Sequence, residues 1–373
     1  MKKKILFGIT GLTLGGAERV LVDIANELVN QYDITIFTLY GKGEFQKELD
    51  EKIKTISLFE NPYDEFSNIK KKIIIPLKVL FQKNRIYKKY IQGKADVEIS
   101  FLEGPITRIF SVRKDNIKKI AWIHNDIGKV FGKGIKAKIK MYIDKKIYSR
   151  YDKLVFVSND NKNKFQEKYN NMKINKEVIY NYINRDKVLE KANEGQLEKF
   201  DRQEINFVTV CRLVEQKALE RLIEVHAKII KEGIHHKIYV IGDGPLREKI
   251  TNKIKEENVQ DTFILLGKKK NPYPYVKNSD EFILLSYFEG YPMVVEEAKI
   301  LNKDIMITNT AAREVVNKYK KVTIVENNEE EIEKSIKNEI KRLKNKKEDK
   351  TEEIEEKYNN ENIINQIIEA VEE

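Results

Sequence analysis

Apolar positions follow two different spacings at the start of the chain. Residues 3–9 form a short apolar run that ends among glycines, and residues 17–30 then place apolar side chains three and four positions apart. Residues 33–39 alternate apolar with polar side chains, which is typical of a β-strand. A strand, a glycine-rich turn, a helix and a second strand predict the opening of a doubly wound sheet. Three further apolar runs predict more strands, at 96–101, 118–123 and 153–157.

The same arrangement starts again after residue 204. Apolar positions at helical spacing predict helices at 216–232 and 246–257. Two successive sets of strands and helices predict an α/β protein with two Rossmann-like domains that face each other across a cleft. The predicted strands of the second set lie at 205–210, 237–241, 262–266, 281–285, 304–307 and 322–325.

Changes of composition suggest where these domains end. Residues 181–204 are rich in Asn and then in charged residues, without an apolar period, and we predict an inter-domain connection there. The first domain is then predicted at 1–180 and the second at 205–350. Residues 328–373 are highly charged and contain neither Pro nor Gly. We expect them to end in a C-terminal helix, 351–373, that packs back on the first domain.

The composition narrows the class of protein. The 373 residues carry 70 Lys and Arg against 59 Asp and Glu, a formal net charge of +11. The single cysteine, Cys211, excludes an internal disulfide framework, and four histidines leave little for a histidine metal site. No apolar run reaches the ~18 residues of a membrane-spanning helix, and the run at 3–9 is too short for a signal peptide. We therefore expect a cytoplasmic protein.

The positive charge is concentrated in the first half of the chain. Residues 1–180 carry 36 Lys and Arg against 21 Asp and Glu, whereas residues 181–373 carry 34 against 38. Segments 70–94 and 129–150 combine basic with apolar residues, as helices on an anionic membrane surface do. Two interpretations stay open: peripheral contact with the inner face of the membrane, and an ordinary solvated helix face. No nucleic-acid partner is expected, because neither segment carries a recognition motif.

Residues that can bind anions follow several predicted strands directly. Gly15 and Gly16 follow the first strand, where amides at a helix N-terminus favour an anion. His124 ends a later strand, and Arg212 and Lys217 follow the first strand of the second set, where two cations can clamp a diphosphate. Ligands of doubly wound sheets bind at such strand ends. A tight turn, a capping histidine and a solvated pair of cations are the structural alternatives.

The segment 281–298 is the most informative part of the sequence. Its apolar strand leads into a loop with Glu289, and a helix is expected to begin at the proline three residues later. Glu297 follows on that helix, so two carboxylates flank a helix end that can bind phosphate. The backbone that would face the anion belongs to Tyr291, Pro292, Met293 and Val294.

Together these motifs resemble the retaining glycosyltransferases of family 4, which have the two-domain GT-B fold. The matching pieces follow in family order over about residues 1–315, and the NPYPY stretch is most similar to the branch that builds capsules, exopolysaccharides and lipopolysaccharide. The pieces are GGAER at 15–19, WIHND at 122–126, R-x4-K at 212–217, IGDGP at 241–245, NPYPYVKNSD at 271–280 and E-x7-E at 289–297.

The resemblance implies an activity and a role for each matched residue. Such an enzyme transfers a sugar from a nucleotide-diphosphate donor, with UDP favoured, to a glycan or lipid-linked glycan acceptor, without a metal or other cofactor. The first domain would bind the acceptor and the second the donor. The implied roles are catalysis for Glu289 and His124, diphosphate binding for Arg212, Lys217, Gly15, Gly16 and the backbone of 291–294, ribose binding for Glu297, and base binding for Lys269.

Some positions depart from the family pattern. Cys211 and Ala218 stand where glycines are usual, and the loop 310–314 reads TAARE, without either of the two usual glycines. The alternative of another class is therefore a catalytically impaired GT-B scaffold that holds a partner at the membrane surface. A nucleotide-sugar epimerase or a phosphorylase on the same two-domain plan is a further alternative.

Overall fold

The computed structural model describes residues 2–112, 117–124, 135–170, 172–195, 203–345 and 360–373. The chain divides into two compact units. Unit 1 comprises Met1–Ile183 and Asn359–Glu373, and unit 2 comprises Asn184–Tyr358. Each unit is built around a parallel β-sheet with helices. The prediction of two Rossmann-like α/β domains is therefore confirmed.

The sheet of unit 1 has seven parallel strands within the described residues. These are β1 Lys4–Ile9, β2 Asp33–Tyr40, β3 Lys54–Phe59, β4 Val97–Ser100, β5 Lys118–Ile123, β6 Lys153–Phe156 and β7 Asn175–Val178. Their order across the sheet is β3-β2-β1-β4-β5-β6-β7, so it reverses between β1 and β4. The two edge strands, β3 and β7, were not predicted from the sequence. They are half-exposed, and an edge strand needs no continuous apolar run.

The helices of unit 1 include both of the segments that combine basic with apolar residues. They are α1 Gly16–Leu28, α2 Ile75–Tyr90, α3 Pro105–Phe110, α4 Ile135–Tyr148 and α5 Asn159–Lys168. A π-helical turn, Lys70–Ile74, leads directly into α2. Both α2 and α4 pack against the short helix α3.

A fully buried ion pair joins two central strands of unit 1. Glu98 of β4 lies opposite Lys119 of β5 in the sheet register, and the two side chains form a salt bridge without solvent exposure. Tyr87 donates its hydroxyl to the second Glu98 oxygen at 2.8 Å, and Lys119 donates to the backbone oxygen of Phe110 at 2.9 Å. These bonds satisfy charged groups that would otherwise be costly to bury.

The C-terminal helix packs on unit 1, as predicted. This helix, Asn360–Glu372, belongs to unit 1 although it follows unit 2 in the chain. Glu372 accepts hydrogen bonds from Lys3 at 2.9 Å and from Tyr32 at 2.8 Å, and Glu373 forms an ion pair with Lys153. Its buried apolar residues are Ile363, Ile367, Ala370 and Val371.

The sheet of unit 2 has six parallel strands within the described residues. These are β8 Asn206–Val210, β9 Lys237–Ile241, β10 Phe263–Gly267, β11 Glu281–Leu284, β12 Asp304–Thr308 and β13 Val322–Val325. Their order is β10-β9-β8-β11-β12-β13. The order therefore reverses between β8 and β11, and a ligand of a doubly wound sheet binds at such a point.

Unit 2 starts within the stretch that we predicted as a connection. That stretch contains α6, Arg185–Lys191, which is too short to show an apolar period but packs against the helix after β11. The charged tail holds a helix of each unit, since Glu329–Asn345 lies in unit 2 and Asn360–Glu372 in unit 1. The helices of unit 2 are α6, α7 Leu219–Lys231, α8 Arg247–Glu256, α9 Tyr273–Asn278, α10 Met293–Ile300 and α11 Glu329–Asn345, and Asn360–Glu372 is α12.

Candidate functional site

The carboxyl ends of β8 and β11 lie side by side at the point where the strand order of unit 2 reverses. Lys217 follows β8 and Glu289 follows β11, 72 residues later in the chain. The Lys217 Nζ donates to Glu289 Oε1 at 2.6 Å, and the two side chains are only 15% and 5% exposed. The structure therefore brings two of the predicted donor-site residues into direct contact.

Gln216 fixes the loop that carries Glu289. Its Nε2 donates to the backbone oxygen of Phe288 at 2.9 Å and lies 3.5 Å from Glu289 Oε2. Its own backbone oxygen accepts from the amide of Tyr287 at 2.9 Å. The Glu289 carboxylate is thus held on both oxygens, in a charge-assisted arrangement with little solvent.

Arg212 lies at the same strand end but is exposed. Among the described residues, its guanidinium has no hydrogen-bond or ion-pair partner. Its turn is held in place by the amide of Leu213, which donates to the backbone oxygen of Asp243 at 3.0 Å. Lys217 is ion-paired with Glu289, so Arg212 is the cation of the two whose charge has no partner within the described residues.

The helix α10 starts next to the Glu289 loop. Pro292 is its N-cap, with φ −73° and ψ 107°, so the helix starts one residue later than the sequence indicated. Tyr291 is half-buried and precedes the cap. Met293 and Val294 form the first turn, where an α-helix leaves amides without an acceptor of its own. These amides and the positive end of the helix dipole favour an anion.

Glu297, on the second turn of α10, is connected to the NPYPY segment. Tyr273 donates its hydroxyl to Glu297 Oε1 at 3.1 Å. The start of α9 is fixed by Asn271, whose side-chain oxygen accepts from the amide of Tyr273 at 3.2 Å and whose amide group donates to the backbone of Lys191 at 2.7 Å. This motif therefore orients the second carboxylate of the E-x7-E pair.

Close packing explains why glycines follow β9. A Cβ added to Gly242 would lie 1.9 Å from the backbone oxygen of Cys211, and one on Gly244 would lie 2.4 Å from that of Leu213. Gly242 also has a φ of +145°. The IGDGP loop thus needs its glycines in order to pack against the turn that carries Arg212.

Ala218 and Cys211, the two departures from the family pattern, keep the backbone in place. Ala218 has the left-handed φ of 51° and ψ of 34°, a conformation that glycine adopts without strain. Cys211 is buried, and its burial raises the pKa of the thiol to about 11, although the charge of Lys217 opposes this. The thiol is therefore protonated at neutral pH and acts as a small buried side chain.

Lys269 follows β10 at the same edge of the sheet. Its Nζ lies over the ring of Tyr275, 5.6 Å from the ring centre. The edge strand β10 is two strands away from β8. The structure therefore places Lys269 apart from the contact between Lys217 and Glu289, and its implied role in base binding stays a prediction.

Gly15 and Gly16 stand at the start of α1 in unit 1. Gly15 is the N-cap and has an ordinary extended backbone, with φ −139°. A Cβ at this position would lie 2.2 Å from the Glu18 carboxylate, which folds back over the glycine. Arg19, in the same motif, forms two hydrogen bonds of 2.7 and 2.8 Å with Glu48. A carboxylate of the chain itself thus lies at this helix end, and the diphosphate role of both glycines stays a prediction.

His124 ends β5 and is half-buried. Its amide donates to the Glu103 carboxylate at 2.6 Å, and its ring packs 4.9 Å from the ring of Phe101. Burial lowers the pKa of His124 to about 4, opposed by a hydrogen bond to the Phe101 backbone, so the ring is neutral at pH 7. The Nε2 atom is buried and has no hydrogen-bond partner among the described residues. Asn125 and Asp126 of the WIHND motif lie outside the described residues.

The sequence analysis missed two residues that position the site. Gln216 lies within the R-x4-K motif, and its position next to Lys217 was the only sequence signal for its role. Arg221 is buried on α7, and an arginine among the apolar-spaced positions of that helix was a usable signal. Its Nη2 donates to the backbone oxygen of Leu285 at 2.7 Å, and its Nη1 donates to Asn327 Oδ1 at 2.8 Å. It therefore anchors the strand end that leads to Glu289.

A metal site needs several ligand side chains close together. Within the residues that the structure describes, no three His, Cys, Asp or Glu side chains come together as a metal site would require. The prediction of a site without metal or cofactor is not tested by this observation.

Comparisons with known proteins identify the family of both units. The profile of the family described as "Glycosyltransferase Family 4" matches residues 14–187, and that of "Glycosyl transferases group 1" matches residues 190–361. Together the two profiles cover most of both units.

Two curated bacterial relatives and one solved structure are similar to this chain. The "N-acetylgalactosamine-N,N'-diacetylbacillosaminyl-diphospho-undecaprenol 4-alpha-N-acetylgalactosaminyltransferase" of Campylobacter jejuni is 25% identical over 84% of this chain and 83% of its own. The "Capsular polysaccharide biosynthesis glycosyltransferase CapH" of Staphylococcus aureus is 25% identical over 85% and 84%. The crystal structure of Anabaena Alr3699/HepE in complex with UDP and glucose covers 99% of both chains, with 15% identity and a TM-score of 0.71.

The fold, the strand-end site and the two profile matches lead to one assignment. The two profile matches follow each other along the chain, one in each unit, and the solved structure has a similar fold over 99% of its length. The chain belongs to the family 4 glycosyltransferases, which have the GT-B fold.

Proposed function

We propose that this chain is a retaining glycosyltransferase of cell-surface polysaccharide synthesis, that its donor is a UDP-sugar, and that its acceptor is a glycan or lipid-linked glycan. The contact between Lys217 and Glu289 carries the proposal, together with the start of α10 and with Arg212, which is unpaired in the described part of the chain. The names of the relatives support it, because one acts on a diphospho-undecaprenol acceptor, one belongs to capsule synthesis and one was solved with UDP.

Charge stabilisation is the central step of the proposed mechanism. The leaving diphosphate gains negative charge as the bond to the sugar breaks. Arg212, Lys217 and the amides of Met293 and Val294 supply positive charge at one strand end, without a metal ion or other cofactor. Lys217 is positioned by Glu289, so that no large rearrangement has to accompany the reaction.

The carboxylates and the histidine have different proposed tasks. Glu289, ion-paired and nearly buried, accepts hydrogen bonds from hydroxyls of the transferred sugar. Glu297, oriented by Tyr273, holds the ribose diol, and Lys269 contacts the base. His124 is neutral at pH 7. Its Nε2, for which the described residues offer no hydrogen-bond partner, is the atom that would bond to a sugar hydroxyl.

The test combines binding with turnover. Thermal unfolding is followed with UDP-, GDP- and ADP-sugars, with and without EDTA, because a ligand of the native state raises the midpoint by mass action. One nucleotide series, with UDP expected, should stabilise the protein whether or not EDTA is present. Arg212→Ala should abolish the shift, whereas Arg185→Ala, also an exposed arginine of unit 2, should keep it.

Glu289→Gln separates the enzyme from the scaffold alternative. It should bind donor but lower donor hydrolysis and transfer by about 100- to 1,000-fold, as loss of one transition-state contact does. Unchanged turnover in Glu289→Gln, or the absence of any nucleotide-dependent shift in the unaltered protein, would contradict the proposal.

A further inference from the structure

Helix α2 is apolar on two opposite sides although it lies at the surface of unit 1. Its inner side, with Ile75, Val79 and Ile86, is buried in the core. Its outer side carries large apolar residues at spacings of three and four positions, which form one continuous stripe. This stripe consists of Leu77, Leu80 and Phe81 of α2 and Ile73 of the π-helical turn before it, which are 46–80% exposed.

Helix α4 repeats this arrangement. Ile147 and Tyr148 near its end are buried, whereas Ile139, Tyr142 and Ile143 are 47–61% exposed on one side. Because α2 and α4 both pack against α3, the two helices lie in the same part of unit 1. We call these seven residues, Ile73, Leu77, Leu80, Phe81, Ile139, Tyr142 and Ile143, the α2–α4 face.

The face stands out from the rest of the described chain. Among the described large apolar residues with comparable exposure, only Tyr287 and Ile324 lie in unit 2, and Tyr63, Ile69 and Ile74 are the others of unit 1. Clustered exposed apolar surface of this kind marks an interaction site, whereas single exposed residues are ordinary.

Positive charge surrounds the same face. Residues 70–94 contain nine Lys and Arg and no Asp or Glu. Burial lowers the pKa of Lys83 in α2, and the charges of Arg108 in α3 and of Arg150, two residues after α4, lower it further. Lys146 lies over the ring of Tyr142, 4.4 Å from its centre.

The one acidic residue of α4 takes no part in the face. The Asp144 carboxylate accepts from the Tyr169 hydroxyl at 3.0 Å, and burial raises its pKa. No helix in the described part of the chain is both long and apolar enough to cross a membrane. A helix with exposed apolar residues among lysines instead lies in the interface between lipid headgroups and acyl chains.

We propose that the α2–α4 face docks on a membrane surface that contains anionic phospholipid. The apolar stripes enter the interface, and the surrounding lysines and arginines meet lipid phosphates. A second copy of this chain is a poor occupant, because two such faces would bring like charges together. A nucleic acid matches the charge but leaves the Ile, Leu and Phe side chains without a partner.

Vesicle binding tests the surface directly. The full chain is mixed with vesicles of phosphatidylcholine alone or with 30% phosphatidylglycerol, and bound protein is separated by flotation. Binding should require the anionic lipid and weaken with salt. Leu77→Gln with Phe81→Gln should weaken binding at least tenfold, while Ile324→Gln, an equally polar change at a residue of unit 2 that is 48% exposed, should leave it unchanged.

Charge variants test the second half of the proposal. Replacing Lys70, Lys88 and Lys146 with Gln should weaken binding about fivefold per lysine, whereas Lys334→Gln and Lys341→Gln in α11 should not. Folding of each variant is checked by its thermal midpoint. The proposal goes beyond sugar transfer, so Glu289→Gln should bind vesicles as the unaltered protein does even if the transferase assignment fails.

Three results would overturn the docking proposal. The first is equal binding to neutral and anionic vesicles. The second is a loss of binding in Ile324→Gln as large as in the Leu77 and Phe81 double variant. The third is that the protein has no affinity for vesicles and the face binds something else. That would be either a second copy, in a dimer that the double variant dissociates, or RNA.

Discussion

At the scale of single residues, Ala218 shows how the chain departs from its family without losing the shape of the site. The position lies between Lys217 and α7 and has a left-handed backbone with φ 51°. A left-handed residue other than glycine costs roughly 1–2 kcal/mol because its Cβ crowds the following carbonyl. The usual glycine is therefore explained by backbone conformation, and the alanine keeps that conformation at a cost in strain.

Ala218→Gly should therefore stabilise the protein. Relief of strain outweighs the extra freedom of glycine in the unfolded chain, with an expected net gain of about 0.5–1 kcal/mol in the free energy of unfolding. Thermal or urea unfolding measures this. Ala227→Gly, on α7 with ordinary helical backbone, is the control and should lower stability by about 1 kcal/mol. Equal losses in both variants would show that Ala218 holds no strain.

At the scale of elements, the buried pair of Glu98 and Lys119 sets how β4 lies against β5. The two residues face each other in the register, and a slip by one residue would leave both charges without a partner in the core. The pair is therefore expected to contribute more to specificity of register than to net stability, because desolvation consumes most of the Coulomb gain.

Lys119→Met should destabilise unit 1 by about 3–5 kcal/mol, since it leaves the Glu98 carboxylate buried without its counter-ion. The double variant with Glu98→Gln should recover at least half of this loss, because glutamine still accepts from Tyr87. Urea unfolding measures both. Lys54→Met is the control, because Lys54 pairs with Asp33 between β2 and β3 but is 67% exposed. A loss of less than 1 kcal/mol in Lys119→Met, as expected for the control, would contradict this account.

The sequence predicted elements best where burial is greatest. Central strands such as β1 and β5 are buried almost throughout and read as continuous apolar runs. The edge strands β3 and β7 and the short helix α6 give no such run, because each needs only a few buried side chains. These elements are stabilised by contacts with residues that are distant in the sequence, so no local sequence pattern predicts them.

At the scale of the whole molecule, the same limit applies to the candidate site. The residue types at strand ends were predictable, because parallel strands place their carboxyl ends at one edge. The hydrogen bonds of Gln216 to the Phe288 backbone and of Tyr273 to Glu297 were not, since they join residues 72 and 24 positions apart. The sequence did indicate that segments 70–94 and 129–150 combine basic with apolar residues. It could not indicate which of their apolar side chains are exposed, because an apolar residue on a helix is more often turned inward.

Stability of the whole molecule should also depend on pH through a buried histidine pair in unit 2. His226 Nδ1 lies 2.8 Å from His236 Nε2, and both rings are fully buried. Thr262 Oγ1 lies 2.8 Å from His226 Nε2, and the backbone oxygen of Ile234 lies 3.1 Å from His236 Nδ1. One set of neutral tautomers satisfies all three hydrogen bonds: Thr262 donates to His226, His226 donates to His236, and His236 donates to the backbone oxygen of Ile234. Burial lowers the pKa of both rings, and the charge of one would repel that of the other.

The free energy of unfolding should therefore fall as the pH falls below about 6.5. There the unfolded chain takes up protons that the folded pair refuses, so stability is full above the unfolded pKa and declines by about 1.4 kcal/mol per pH unit for each histidine. Urea unfolding at pH 7.5, 6 and 5 measures the slope. His226→Phe with His236→Leu should flatten it, while His235→Gln, at an exposed neighbour, should leave it unchanged. Carboxylates and His124 contribute equally to the pH dependence of all three proteins. An equal slope in the double variant would therefore mean that the pair of His226 and His236 does not cause the predicted loss of stability.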